Sequence, residues 1–136
     1  MRRPIALLPL ALLLAGCGQA ATTTSAEDFR GQERAVAQVV EDLQQAGEDD
    51  DAARICRDLI VQDLARQLDG AGSSCTEEIE RSIEDVDDYE LVVRDVTVSG
   101  DTAQATVEAG DAEDGRTTLR FAREGGAWRA AELPGS

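Results

Sequence analysis

The chain has 136 residues, with 28 Asp and Glu against 13 basic residues, a formal net charge of −15 and no His. That charge argues against nucleic acid as a partner and against docking on anionic lipid through a basic patch. With no histidine, the side chain that most often serves as a general base near neutral pH is missing, and two Phe, one Trp and one Tyr supply few large core residues.

Residues 1 to 16 have the anatomy of a secretory signal: Arg2 and Arg3, an apolar run from Ile5 to Leu14, then small residues before Cys17. The run is shorter than the about 20 apolar residues a spanning helix needs. A buried helix is a poor alternative, since no polar face exists and Pro4 and Pro9 interrupt the stretch. Leu14-Ala15-Gly16-Cys17 resembles the lipobox of bacterial lipoproteins. The resemblance implies cleavage between Gly16 and Cys17 and a diacylglycerol on the Cys17 thiol. It places the chain on the extracytoplasmic side of the cell membrane, held there by lipid. The mature chain would then have 136 − 16 = 120 residues, enough for one small domain, with 13 − 2 = 11 bases against 28 acids.

With Cys17 assigned to lipid, Cys56 and Cys75 remain as a pair. Outside the cytoplasm such a pair is expected to be oxidised. The bridge would contribute about 3 kcal/mol in the simple loop-entropy picture. Redox-active pairs favour a close Cys-X-X-Cys spacing that these two lack, so a structural disulfide is the expectation.

Residues 17 to 26 are small and polar, with Thr22-Thr23-Thr24-Ser25 at their centre, and read as a flexible tether. Residues 27 to 133 form the single domain, and 134 to 136 a tail. A first helix is predicted from near Ser25, with Phe29, Val36, Val39, Val40 and Leu43 along one stripe and Gly47 as its stop. Glu48-Asp49-Asp50-Asp51 lacks the spacing and glycine of an EF-hand, and reads as a solvated turn in which one Asp caps the next helix. That helix is predicted over Ala52 to Leu68, with Ile55, Leu59, Ile60, Leu64 and Leu68 on one face. A break at Asp69 to Ser74 precedes a short helix from Thr76, or from up to a turn earlier with Ser74 as the better cap, carrying Ile79, Ile83 and Val86.

From Tyr89 the period changes to two. Leu91 and Val93 alternate, then Val96 and Val98 continue in the opposite phase, which predicts a β-bulge at Arg94-Asp95. Ser99-Gly100-Asp101 makes a turn, and Ala103, Ala105, Val107 and Ala109 form the next inward row. Gly110 to Gly115 is a hairpin loop. Leu119 and Phe121 face inward, Glu124-Gly125-Gly126 turns the chain, and Trp128 opens a last strand through Leu133.

Helices followed by strands predict an α+β fold, with N-terminal helices packed on one face of a bent four-stranded antiparallel meander. The chain here resembles the nuclear transport factor 2-like superfamily, in particular small bacterial lipoproteins with that domain. The resembling stretches are Glu33 to Leu43, the Glu48-to-Cys56 turn, Val96-Thr97-Val98-Ser99-Gly100-Asp101-Thr102-Ala103 and Gly125-Gly126-Ala127-Trp128-Arg129. The resemblance implies a cone-shaped domain with a pocket, and the superfamily usually adds a strand among the helices.

Enzymes of that superfamily commonly use an Asp-His pair or a Tyr within the cone. This chain has no His, and Tyr89 falls at a strand start. No nucleophile-base pair, metal-ligand cluster or phosphate-cradling glycine loop stands out, so no catalytic, metal or cofactor residue is assigned. Two functions remain: a non-catalytic module for a small apolar ligand or an envelope protein, or a pocket hydrolase or isomerase using a buried carboxylate such as Asp58 or Asp63. The second demands a buried acid inside a concave site; the first is expected.

Overall fold

The computed structural model describes residues 26–70, 72–86, 90–109 and 115–134. The expected signal with Gly16 and Cys17, the expected tether before Ala26, Tyr89 and residues 110–114 of the expected hairpin loop lie outside them. The described residues form an α+β fold with four helices and one open four-stranded antiparallel sheet. The sheet is a meander, β1 (Leu91–Ser99), β2 (Thr102–Ala109), β3 (Arg116–Glu124) and β4 (Ala127–Ala130), each strand hydrogen-bonded to its neighbours in sequence.

The first helix starts later than its periodicity predicts. Ala26–Asp28 form a single 3-10 turn, and α1 spans Gly31–Glu48. Gly31, the first residue of α1, takes φ +57°, a left-handed value that glycine adopts without a Cβ penalty. The Arg34 guanidinium donates to the carbonyls of Phe29 at 3.0 Å and Glu27 at 3.1 Å, holding the turn against α1. Ala26 is buried, and its N–H donates to a Glu41 carboxylate oxygen halfway along α1.

Gly47 does not stop α1; it is buried within its last turn. The stop is Asp50, at φ +54°. Asp50 N–H bonds Gly47 O at 3.2 Å and Asp51 N–H bonds Ala46 O at 2.8 Å, the Schellman closure with aspartate in the left-handed position. Asp51 then caps the next element, accepting Arg54 N–H at 3.0 Å. One of the acidic residues does cap the following helix, and it is the last of the four.

The predicted helix over Ala52 to Leu68 is broken. It consists of α2 (Ala52–Arg54), a π turn (Ile55–Leu59) and α3 (Gln62–Asp69). The apolar spacing explains the break. At about 100° per residue, an unbroken α-helix would spread Ile55, Leu59, Ile60, Leu64 and Leu68 over roughly 220° of its surface. The five-residue step from Ile55 to Ile60 is instead taken by a π turn, with Ile60 N–H on Ile55 O at 3.2 Å. Ile60 then extends (φ −114°, ψ 156°) and bridges Ala130 in parallel, while Val61 N–H donates to Ala130 O at 2.9 Å.

The fourth helix, α4 (Cys75–Glu84), starts at Ser74 rather than at Thr76. Ser74 and Glu77 form a reciprocal capping box, which Thr76 cannot make because no Glu or Gln stands three residues beyond it.

In the sheet the period-two reading holds. The register slips between Val93, opposite Val107, and Asp95, opposite Thr106, so Arg94 is the bulged residue. The inner face carries Val93, Val96, Ala103, Ala105, Val107, Leu119, Phe121, Trp128 and Ala130, all buried. Val36 and Val40 of α1 are fully buried with them in one core, which fills the inner face with side chains. The last strand ends at Ala130 rather than running to Leu133, although Ala131 N–H still reaches Arg120 O at 2.8 Å.

Candidate functional site

Cys56 and Cys75 are joined in the structure, with their Cα atoms 6.2 Å apart and a sequence separation of 19. Cys56 sits within the π turn and is half-buried; Cys75 is the first residue of α4 and is buried. The bridge therefore ties the irregular turn to a capped helix start. Asp69, at the end of α3, accepts Cys75 N–H at 2.6 Å, so α3 closes back onto the same point.

The other side of the π turn is tied to the sheet. Arg129 on β4 donates to Arg57 O at 2.8 Å and Ile60 O at 3.5 Å, meeting carbonyls that the turn leaves without helical donors. The outer edge of β4 is thus covered by Ile60, Val61 and this guanidinium.

At the opposite end of the inner face lies a cluster the sequence did not reveal. Arg123 is opposite Trp128 in the ladder, so both point to the inner side, and the guanidinium stands 4.9 Å from the indole centroid. Gln32, in the first turn of α1, accepts the Trp128 Nε1–H at 2.8 Å and a second bond from Arg123. Trp128 is 6 % exposed, so it is a core residue with its polar atom satisfied, not an open platform.

The acids singled out for a buried-carboxylate mechanism are not buried. Asp58 and Asp63 have side chains 49 % and 76 % exposed, and no described polar or charged residue is buried. The Arg57 hydrogen bond at 3.0 Å holds Asp58 below the usual carboxylate range, with Arg129 and Arg54 adding to it, the opposite of the raised value a buried carboxylate base needs. Arg57 is raised in return, chiefly by its hydrogen bond to Asp58.

Of Glu48 to Asp51, Asp51 is committed to a helix cap and Asp50 to a left-handed turn. Among the described residues no three Cys, Asp or Glu side chains group as a metal site. No helix among them is long and apolar enough to cross a membrane. No protein-family model matches the chain, and no curated protein matches it significantly.

Proposed function

We propose that the chain is a lipoprotein held on the extracytoplasmic side of the membrane through Cys17, carrying a non-catalytic interaction domain of the nuclear transport factor 2-like kind. The observation that carries this reading is the Cys56–Cys75 bridge. It accounts for two of the three cysteines and leaves Cys17, at the end of an apolar run behind Arg2 and Arg3, as the odd thiol. A bridge also suits an oxidising compartment.

The domain assignment is supported by a four-stranded antiparallel meander, bulged at Arg94, with α1 packed in one core with its inner face. It is supported too by the Ile60–Ala130 bridge, a one-residue counterpart of the strand that superfamily inserts among its helices. The filled inner face favours a protein of the cell envelope over a small apolar ligand as the partner.

The test is made on the full chain expressed in a bacterial host. Wild type should incorporate labelled fatty acid and stay with membranes through a salt wash, and Cys17→Ser should lose both. A Cys17→Ser protein that still sediments with washed membranes defeats the anchor. Envelope cross-linking that captures no specific protein defeats the interaction role.

A further inference from the structure

The two edges of the sheet are treated differently. The β4 edge is closed by Ile60, Val61 and Arg129, whereas among the described residues no strand lies beside β1. Leu91 and Ala109 face each other across β1 and β2, yet Leu91 N–H goes to Gln44 Oε1 at 3.0 Å and Ala109 N–H to Gly115 O at 2.8 Å. Theirs is a non-hydrogen-bonded pair, so by the alternation of an antiparallel ladder Leu91 and Val93 turn their backbone groups to the outer edge, where Gln44 already takes the Leu91 N–H. Past the bulge, Val96 and Val98 return to the inner face, and the same alternation turns their backbone groups outward.

We propose that β1 pairs antiparallel with β1 of a second copy, giving a two-fold dimer with one continuous eight-stranded sheet. The register sets Arg94 opposite Asp95 of the second copy, and Asp95 opposite its Arg94. Every other pair then keeps its face: Val93 meets Val96 and Leu91 meets Val98 on the inner side, and Val92 meets Thr97 on the outer. An unbulged strand cannot do this, because residues an odd number apart lie on opposite faces. The Arg94 slip, an irregularity against β2, is what lets β1 meet itself in the register that sets Arg94 opposite Asp95.

Bulges and charges on an edge strand commonly block pairing. Here the two charges are adjacent and of opposite sign, so a two-fold neighbour meets each with its complement. Glu108 holds the Arg94 guanidinium at 2.7 Å, within the outer layer where the opposing Asp95 would lie. The two-fold axis runs normal to the sheet, so both α1 helices, and both Ala26 positions beside them, fall on one side. Two copies anchored in one membrane satisfy that geometry, although the pairing itself does not depend on the anchor.

Sedimentation velocity of the full chain in mild detergent should show a dimer that dissociates across a dilution series. Asp95→Arg and Arg94→Asp should each raise the dissociation constant about tenfold or more, and the double exchange Arg94→Asp/Asp95→Arg should restore it. Hydrogen exchange at Val93 and Val96 should speed up on dilution of the wild type. A monomer at every concentration overturns the proposal, as does a dimer indifferent to the single reversals or a folded double exchange that stays monomeric. Exchange at Val93 and Val96 that is slow and independent of concentration also overturns it, since the edge would then be covered by the chain's own segments.

Discussion

Gln32 and Trp128, 96 residues apart, share a hydrogen bond of 2.8 Å that fastens the first turn of α1 to the last strand of the sheet. The same Gln32 oxygen accepts from Arg123, so one exposed amide satisfies two donors drawn from β3 and β4. Its removal leaves the indole N–H buried without an acceptor. Gln32→Ala should therefore lower stability by about 1–3 kcal/mol, and Gln32→Glu, which keeps an acceptor, by less. Chemical denaturation followed by the fluorescence of Trp128, the single tryptophan, measures both.

Reducing the Cys56–Cys75 bridge, or replacing both residues by Ser, should lower stability by about 3 kcal/mol. The loss should fall first on the π turn and the Ile60–Ala130 bridge, because the disulfide and Arg129 hold that turn from its two sides. Hydrogen exchange in the double variant should show the Val61 amide, bonded to Ala130 O, losing protection ahead of the β2 and β3 amides.

Asp50 occupies a left-handed backbone position that glycine adopts without a Cβ penalty. Asp50→Gly should raise the thermal midpoint, by up to about 1 kcal/mol in free energy, since the conformational relief exceeds the added unfolded-state entropy. Asp51→Gly, one residue on, should do the reverse by removing the cap on Arg54 N–H. Parallel thermal melts of the two variants distinguish these effects.

Among the described residues, four carboxylates sit below their ordinary range through hydrogen bonds that favour the charged form. They are Glu78 with Ser73, Glu108 with Arg94, Glu132 with Arg120 and Asp58 with Arg57. A depressed folded-state pKa means the unfolded chain binds more protons in that window, so stability there rises with pH. The contribution is complete above the unfolded carboxylate range, about pH 4–4.5, and is lost as pH falls through the lower folded values. Denaturation midpoints should stay level from neutrality to about pH 5 and then drop with acid. Glu78→Gln, which removes one of the four, should flatten that drop.

The strands were legible because alternation and glycine turns leave little freedom. Val93, Val96, Leu119 and Phe121 announce the inner face, and the change of phase at Arg94 announces the bulge. The π turn was harder to see. A five-residue step between Ile55 and Ile60 sits inside a pattern that otherwise satisfies a helix, and only the demand of the β4 edge for a partner decides between them. Arg123 is disguised by its type, although its parity with Leu119 and Phe121 places it on the inner side. Gln32 carries no signal in the sequence at all, because its role depends on a residue at the far end of the chain. Helix limits depended on chemistry that one residue decides: Ser74 has Glu77 three positions on, and Asp50 tolerates the left-handed backbone that Gly47 never needs.

The corner between α1 and α2 has one further property. Asp51 is at once the residue that finishes the closure of the first helix and the residue whose side chain begins the second. No linker separates them, so the joint has no play: the direction in which α2 leaves is dictated by the end of α1. An added residue at this corner would part the helix closure from the Asp51 cap and misalign Cys56 with Cys75.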